Sequence, residues 1–282
     1  MAGEAEDLTE AAIAERLRAA GCVFAEDEAR LLTEAAAGQA ELAAMVQRRA
    51  AGLPLEHVLG FAEFCGLRVA VGPGVFVPRR RTEFLVSEAV SLAAKALPLA
   101  AKAVSQPGAQ SAGIVVDLCC GCGAVGAAVA AALGPVELHA ADIDPVAVTY
   151  ARRNLGRDYH AHVYQGDLYT PLPAGLRGRV AILTANVPYV PSREVGLLPA
   201  EARLHEPLTA IDGGPDGLDV LRRVAAGAPE WLTPGGHVLV ETSQRQAPLA
   251  ARAFASAGLV PRITSCDELS ATVAVGTKRE AG

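Results

Sequence analysis

The sequence is short of aromatic and of basic residues. Phe, Trp and Tyr make up 4% of its 282 positions, and Trp occurs once. Lysine and arginine number 25 against 31 aspartates and glutamates, a formal net charge of −6. An acidic balance argues against broad contact with a phosphate backbone, which needs a basic face. "VPRRRTE", Val77 to Glu83, is the only tight basic cluster. No apolar run reaches the roughly 18 uninterrupted residues of a membrane span. The most apolar stretches are alanine-rich and broken by Lys, Pro or Gly. The opening "MAGEAEDLTE" is acidic and lacks the positive region of a secretory leader. A cytoplasmic protein that avoids membranes is expected.

The six cysteines make no disulfide framework. Cys22, Cys65 and Cys266 are isolated, while Cys119, Cys120 and Cys122 crowd together. Zinc takes four ligands, usually as two pairs, and no second C-x-x-C or Cys/His pair accompanies Cys119 and Cys122. The thiols are expected to be free.

What is present is apolar bulk, 51% hydrophobic against 20% charged, enough for a sizeable core. Residues 7 to 50 read as helices, with Thr9 as a cap, a stop at Gly21 and a break near Gly38. "FAEFCGLRVAVGPGVFVPR", Phe61 to Arg79, alternates apolar and polar residues around glycines, a hairpin signal. A helix follows, then a loop over Ser105 to Gly113. From Ile114 strands and helices alternate: "GIVVDL", "VELHAADI", "HVYQGD", "RVAILTAN", "GGHVLVET", "PRITSC" and "ATVAVGT" are the strands. Asp144 caps the helix that opens with Pro145. This alternation predicts a doubly wound α/β fold with a mostly parallel sheet of seven strands. The last two strands have no helix between them, so one of them is expected to be antiparallel.

"VVDLCCGCGAVG", Val115 to Gly126, ends the first of those strands and opens its helix. Ligands of open α/β sheets bind at that place. Gly121 and Gly123 permit a tight turn and close approach of a ligand. Asp117 ends the strand, and Asp142 ends the next, where a carboxylate can accept both ribose hydroxyls of an adenosine. Asp167 ends the third, near an adenine edge. A redox C-x-x-C also precedes a helix, but it gives Asp142 and Asp167 no role. Gly121 to Gly126 also spells G-x-G-x-x-G, so a dinucleotide reading is open until the next motif.

That motif is Asn186-Val187-Pro188-Tyr189, after the fourth strand. It resembles the Asn-Pro-Pro-Tyr motif of methyltransferases that carry the methyl of S-adenosylmethionine to planar nitrogens. An amide nitrogen is a poor nucleophile because its lone pair is delocalised. Two acceptors that grip its N–H groups, Asn186 Oδ1 and the Val187 carbonyl, would hold it and favour positive charge developing on it. Tyr189 would stack on the amide plane. Val stands where the family has its first Pro, and Pro188 biases Val187 toward extended backbone.

"PLEHVLGFAEFCGLRVAVGPGVFVPRRRTEFLV", Pro54 to Val86, is similar to the region before the catalytic domain of the HemK/PrmC family of protein-(glutamine-N5) methyltransferases. "HEPLTAIDGGPDGLDVLRRV", His205 to Val224, looks like that family's E-P-x-x-A-L-x-G-G-x-D-G-L segment. The resemblance implies a class I S-adenosylmethionine methyltransferase sheet over 81–282. It implies a helical substrate-recognition domain over 1–60 and a linking β-hairpin over 61–80. It implies S-adenosylmethionine held by Asp117, Cys119, Cys120, Gly121, Cys122, Gly123, Asp142, Asp167, Leu168 and Asn186. The catalytic residues would be Asn186, Pro188 and Tyr189, with Val187 joining them to bind substrate. The acceptor would be the Gly-Gly-Gln glutamine of a translation release factor. Cys119 replaces the first glycine of the family's loop, and Leu168 an aromatic. Methylation of an adenine or cytosine amine, and cofactor binding without catalysis, are the alternatives. The Arg79–Arg81 cluster would meet an acidic substrate patch or the methionine carboxylate, or form a solvated turn. Trp231 and the six histidines carry structural or surface readings.

Overall fold

The computed structural model describes residues 8–103, 113–156, 159 and 161–280. The loop expected over Ser105 to Gly113 lies outside them except for Gly113.

Four helices come first: α1 (Glu10–Ala19), α2 (Ala25–Ala35), α3 (Gln39–Ala50) and α4 (Leu55–Leu59). Thr9 caps α1 by accepting from the Ala12 N–H at 3.3 Å. Ile13, Leu17, Leu32, Leu42 and Val46 form a core of their own. The helix α4 is one turn long, too short for a 3.6-residue pattern to show in sequence. It stops at Gly60, whose φ of +81° suits glycine.

The hairpin pairs β1 (Phe61–Phe64) with β2 (Leu67–Ala70). Cys65 and Gly66 both have positive φ, +50° and +75°, the signature of a tight two-residue hairpin turn. Phe64 and Val69 share one core with the helices α5 (Glu83–Ala103) and α6 (Ala124–Leu133). The hairpin is therefore part of the large domain's packing rather than a free linker.

The remaining elements are β3 (Gly113–Leu118), β4 (Val136–Asp142), α7 (Pro145–Leu155), β5 (Ala161–Gln165), β6 (Val180–Ala185), α8 (Ala200–His205), α9 (Asp219–Trp231), β7 (Leu232–Thr242), α10 (Ala247–Ser256), β8 (Val260–Cys266) and β9 (Ala271–Thr277). The seven-stranded sheet has the order β5-β4-β3-β6-β7-β9-β8. Only β9 runs antiparallel to its neighbours, β7 and β8. Both faces are covered, so the central strands are mainly apolar. Along β3, Val115 joins the core under α5 and α6, while Ile114, Val116 and Leu118 join the core under α9 and α10. Strand order reverses between β3 and β6, and a crevice opens at their carboxyl ends.

Among the contacts that tie the helical unit to the rest are two made by side chains. Arg49, held by Glu28 at 2.6 Å, also reaches Glu201 Oε2 at 2.9 Å. The His57 ring lies 2.9 Å from the Val75 carbonyl.

Candidate active site

At the end of β3 the chain turns sharply. Cys119, Gly121 and Gly123 take φ of +52°, +55° and +81°. Left-handed backbone is free for glycine and strained for cysteine. Cys119 thus carries a conformation that a glycine would adopt freely. The Gly121 N–H donates to Asp142 Oδ2 at 2.8 Å, and the Asp144 N–H donates to Oδ1 at 2.9 Å. Each carboxylate oxygen keeps a lone pair for a further donor. Burial raises the Asp142 pKa, and the two backbone N–H groups pull it back.

Asp117 is almost wholly buried. Its Oδ2 accepts from the Gly126 N–H at 2.9 Å and its Oδ1 from the Thr184 hydroxyl at 2.9 Å. It thereby fastens the start of α6 to β6, and with it the loop. Desolvation pushes its pKa to about 7. Asn154, from α7, donates to the Cys122 carbonyl at 2.8 Å and pairs with the backbone of Ala70. It holds the loop from the other side.

The motif after β6 faces this loop across one cavity. Asp117, Cys119, Cys120, Gly121, Cys122, Asp142, Asn186, Val187, Pro188 and Tyr189 all line it. The Asn186 side chain makes no hydrogen bond to any described residue, and no described donor reaches the Val187 carbonyl. Tyr189 is fixed at three points. Its hydroxyl donates to Glu241 Oε1 at 3.0 Å, its carbonyl accepts from Gln246 Nε2 at 2.9 Å, and Arg81 lies 5.6 Å from the ring centre.

Comparison with known proteins identifies the family. A family model described as the methyltransferase small domain matches residues 95–196. A release factor glutamine methyltransferase of Geobacter sulfurreducens is 36% identical over 231 residues, 80% of this chain and 75% of the relative. One of Streptomyces coelicolor is 38% identical, over 72% of this chain and 67% of the relative. The chain belongs to the release factor glutamine methyltransferase family. It is an S-adenosylmethionine-dependent methyltransferase. The crystal structure of a Pyrococcus furiosus methyltransferase superposes with a TM-score of 0.52 at 14% identity, covering 76% of this chain and 90% of that one. At that identity the likeness speaks for the class I methyltransferase fold alone.

Three of the residues expected at the cofactor stand off the cavity wall of this methyltransferase. Gly123 packs outward: a Cβ there would lie 3.0 Å from Leu155 Cγ and 3.3 Å from Ala151 Cα. Asp167 pairs with Arg223 at 2.5 Å. Leu168 is buried in the core under α9, with φ of +48°. Cys120 and Cys122 are buried and Cys119 is half-buried; burial raises all three thiols, Cys122 to about 12. Thiolate chemistry is therefore disfavoured there. Among the described residues no three His, Cys, Asp or Glu side chains form a metal-binding group.

The structure also brings further residues to the site, among them arginines of the 79–81 cluster. Phe76, Pro78, Arg79 and Arg81 line the same cavity. Arg79 pairs with the buried Glu206 at 2.5 Å, and the half-exposed Arg81 with Glu241 at 3.3 Å. A Cβ at Gly213 would lie 2.5 Å from the Pro188 carbonyl, and one at Gly217 would overlap the Tyr189 carbonyl. The Gly-Gly-x-x-Gly segment is thus the floor beneath the motif.

Proposed function

We propose that the protein transfers a methyl group to the side-chain amide nitrogen of a glutamine in a peptide chain release factor, the glutamine of a Gly-Gly-Gln loop. The acceptor class rests on the relatives' activity and on the motif. The observation that carries the reading is the pair of unpartnered acceptors, Asn186 Oδ1 and the Val187 carbonyl, on the wall they share with Tyr189.

The residues present fit S-adenosylmethionine. Asp142 retains acceptor capacity toward a diol, and above Gly121 there is open space where a Cβ would stand. In this reading Asp142 holds the ribose, and Cys119 to Cys122 border the methionine end. When bound, the cofactor supplies a methyl already activated on a sulfonium, so no protein nucleophile is required. Asn186 Oδ1 and the Val187 carbonyl each accept one N–H of the glutamine amide. That grip orients the nitrogen and stabilises positive charge as it forms. The Tyr189 ring, locked through its hydroxyl, limits the tilt of the amide plane. Asp117 and Asn154 keep the loop in place and do not touch the acceptor.

A release factor acceptor places the activity in the cytoplasm. The test incubates the protein with labelled S-adenosylmethionine and candidate release factors, then locates the methyl by mass spectrometry. Label on the Gly-Gly-Gln glutamine is expected, and Asn186→Ala should lower turnover at least about 1,000-fold while cofactor affinity stays within a few-fold. Label on DNA or RNA instead would overturn the assignment.

A further inference from the structure

Glu241, near the end of β7, carries a carboxylate that is 3% exposed. Its Oε1 accepts from the Tyr189 hydroxyl at 3.0 Å, while its Oε2 has no hydrogen-bond partner among the described residues. Taking a carboxylate out of water is costly unless a cation stands close or several donors satisfy its oxygens. One neutral donor on one oxygen does not meet that cost. Among the described residues Arg81 is the one cation paired with Glu241, its Nε 3.3 Å from Oε1. Arg79, two residues earlier, is committed to Glu206.

Arg81 meets the same tyrosine a second time. Its guanidinium carbon lies over the Tyr189 ring, 5.6 Å from the centre. One side chain therefore reaches the ring directly and the hydroxyl through the carboxylate that receives it. The 3.3 Å contact is an ion pair rather than a tight hydrogen bond, so what Arg81 supplies to Glu241 is charge. The carboxylate end of the pair is buried, and solvent screens it less than a surface pair. Arg81 also lines the active-site cavity beside Tyr189, so direct contact with the acceptor is the competing role.

We propose that Arg81 is a positioning residue for methyl transfer: by balancing the charge of Glu241 it keeps that carboxylate in place as the acceptor of the Tyr189 hydroxyl, and so fixes the ring against which the glutamine amide lies. The proposal rests on the glutamine-acceptor reading above. Arg81, Tyr189 and Glu241 come from three separate segments, before α5, after β6 and at the end of β7. They act as one unit, and only Tyr189 touches the acceptor. Losses within such a unit do not add, because removing one member already disables what the others support.

The test is a double-mutant cycle read by steady-state methylation of an intact release factor and of a synthetic Gly-Gly-Gln peptide. Arg81→Met keeps an unbranched side chain and removes the charge. It should lower turnover about fivefold to tenfold, as Tyr189→Phe should, on both acceptors alike. Acceptor KM and cofactor affinity should stay within about twofold, since only the placement of the ring changes. Introduced into Tyr189→Phe, Arg81→Met should cost no more than about a further twofold. Arg81→Lys retains the cation and should keep turnover within about twofold of native. Glu241→Gln keeps an acceptor for the hydroxyl and removes the charge that needs balancing. Should Arg81→Met alone fail to fold, the chain with both Glu241→Gln and Arg81→Met should fold and turn over as Glu241→Gln does. A raised acceptor KM with native turnover in Arg81→Met would mean that Arg81 contacts the acceptor itself. Losses that multiply in the Tyr189→Phe or Glu241→Gln chains would mean that it acts elsewhere. Native turnover in Arg81→Met would mean that Glu241 needs no cation. Each of these results overturns the proposal. If the native chain methylates neither acceptor, the glutamine reading falls and takes the positioning role with it. Native methylation with multiplying losses removes the positioning role alone.

Discussion

The hydroxyl of Tyr189 donates to Oε1 of Glu241 at 3.0 Å, across 52 residues of sequence. The carboxylate is buried, and Arg81 approaches the same oxygen at 3.3 Å. Burial and the adjacent carboxylate raise the Tyr189 pKa, so the phenol stays protonated and remains a donor. Tyr189→Phe keeps the ring but releases it from that anchor. Turnover should fall about fivefold to tenfold, with cofactor KM unchanged. Tyr189→Ala removes the ring as well and should lower turnover at least about 100-fold. Equal losses in the two variants would mean that the hydroxyl, not the ring, matters.

The loop offers two opposite glycine experiments. Cys119 has a φ of +52° that a glycine adopts without strain. Cys119→Gly relieves about 1 kcal/mol of backbone strain, partly offset by the looser unfolded chain. Denaturant titration should show a small gain in stability. Gly123 has a φ of +81°, and a Cβ there would lie 3.0–3.3 Å from Leu155 and Ala151. Gly123→Ala adds both strain and overlap and should destabilise by more than about 1 kcal/mol.

Asp117 gives a pH signature. Its folded pKa is raised by burial to about 7, against an ordinary value of 3.8. Between those values the folded chain binds more protons than the unfolded one. Stability therefore falls as pH rises from about 4 to 7 and levels off above, with a slope of at most about 1.4 kcal/mol per pH unit from this group. Asp142 and Glu206 are also raised by burial and add in the same direction. Asp117→Asn should flatten the difference curve across that window, measured by urea unfolding at stepped pH. An unchanged slope in the variant would mean Asp117 is ionised in the fold.

The architecture and the motifs were legible in sequence for local reasons. The central strands β3 and β6 are short and largely apolar runs, Asp144 caps its own helix, and the 119–123 turn and Asn186–Tyr189 are each contiguous. The Arg79 and Arg81 partners were not legible, because Glu206 and Glu241 lie 127 and 160 residues away. Asp117 was read as a cofactor residue from its place at a strand end. That place does not reveal that Thr184, its neighbour only through sheet register, takes one of its oxygens. The helices α4 and α8 are too short to set up a period.

Gly217 separates packing from chemistry most sharply. It has φ of +78°, and a Cβ there would overlap both the Tyr189 carbonyl and Gln246 Nε2. Those two atoms are hydrogen-bonded to each other, and Gln246 also donates to the Asp216 carbonyl at 2.9 Å. Gln246 therefore clamps the motif to the glycine floor. Gly217→Ala must displace Tyr189 or break the clamp, since backbone and a doubly bonded amide cannot both stay. Gln246→Ala breaks the clamp without pushing, leaving two carbonyls without their donor. Gly217→Ala should lower turnover by at least about 100-fold, because a shift of order 1 Å at the amide grip is enough for that. Gln246→Ala should lower stability by about 1–3 kcal/mol with a smaller loss of turnover. Cofactor affinity, measured by calorimetry, should be near native in both, because neither residue lines the cofactor loop. If Gly217→Ala retained full turnover, the floor would be packing alone and would not set the position of the motif.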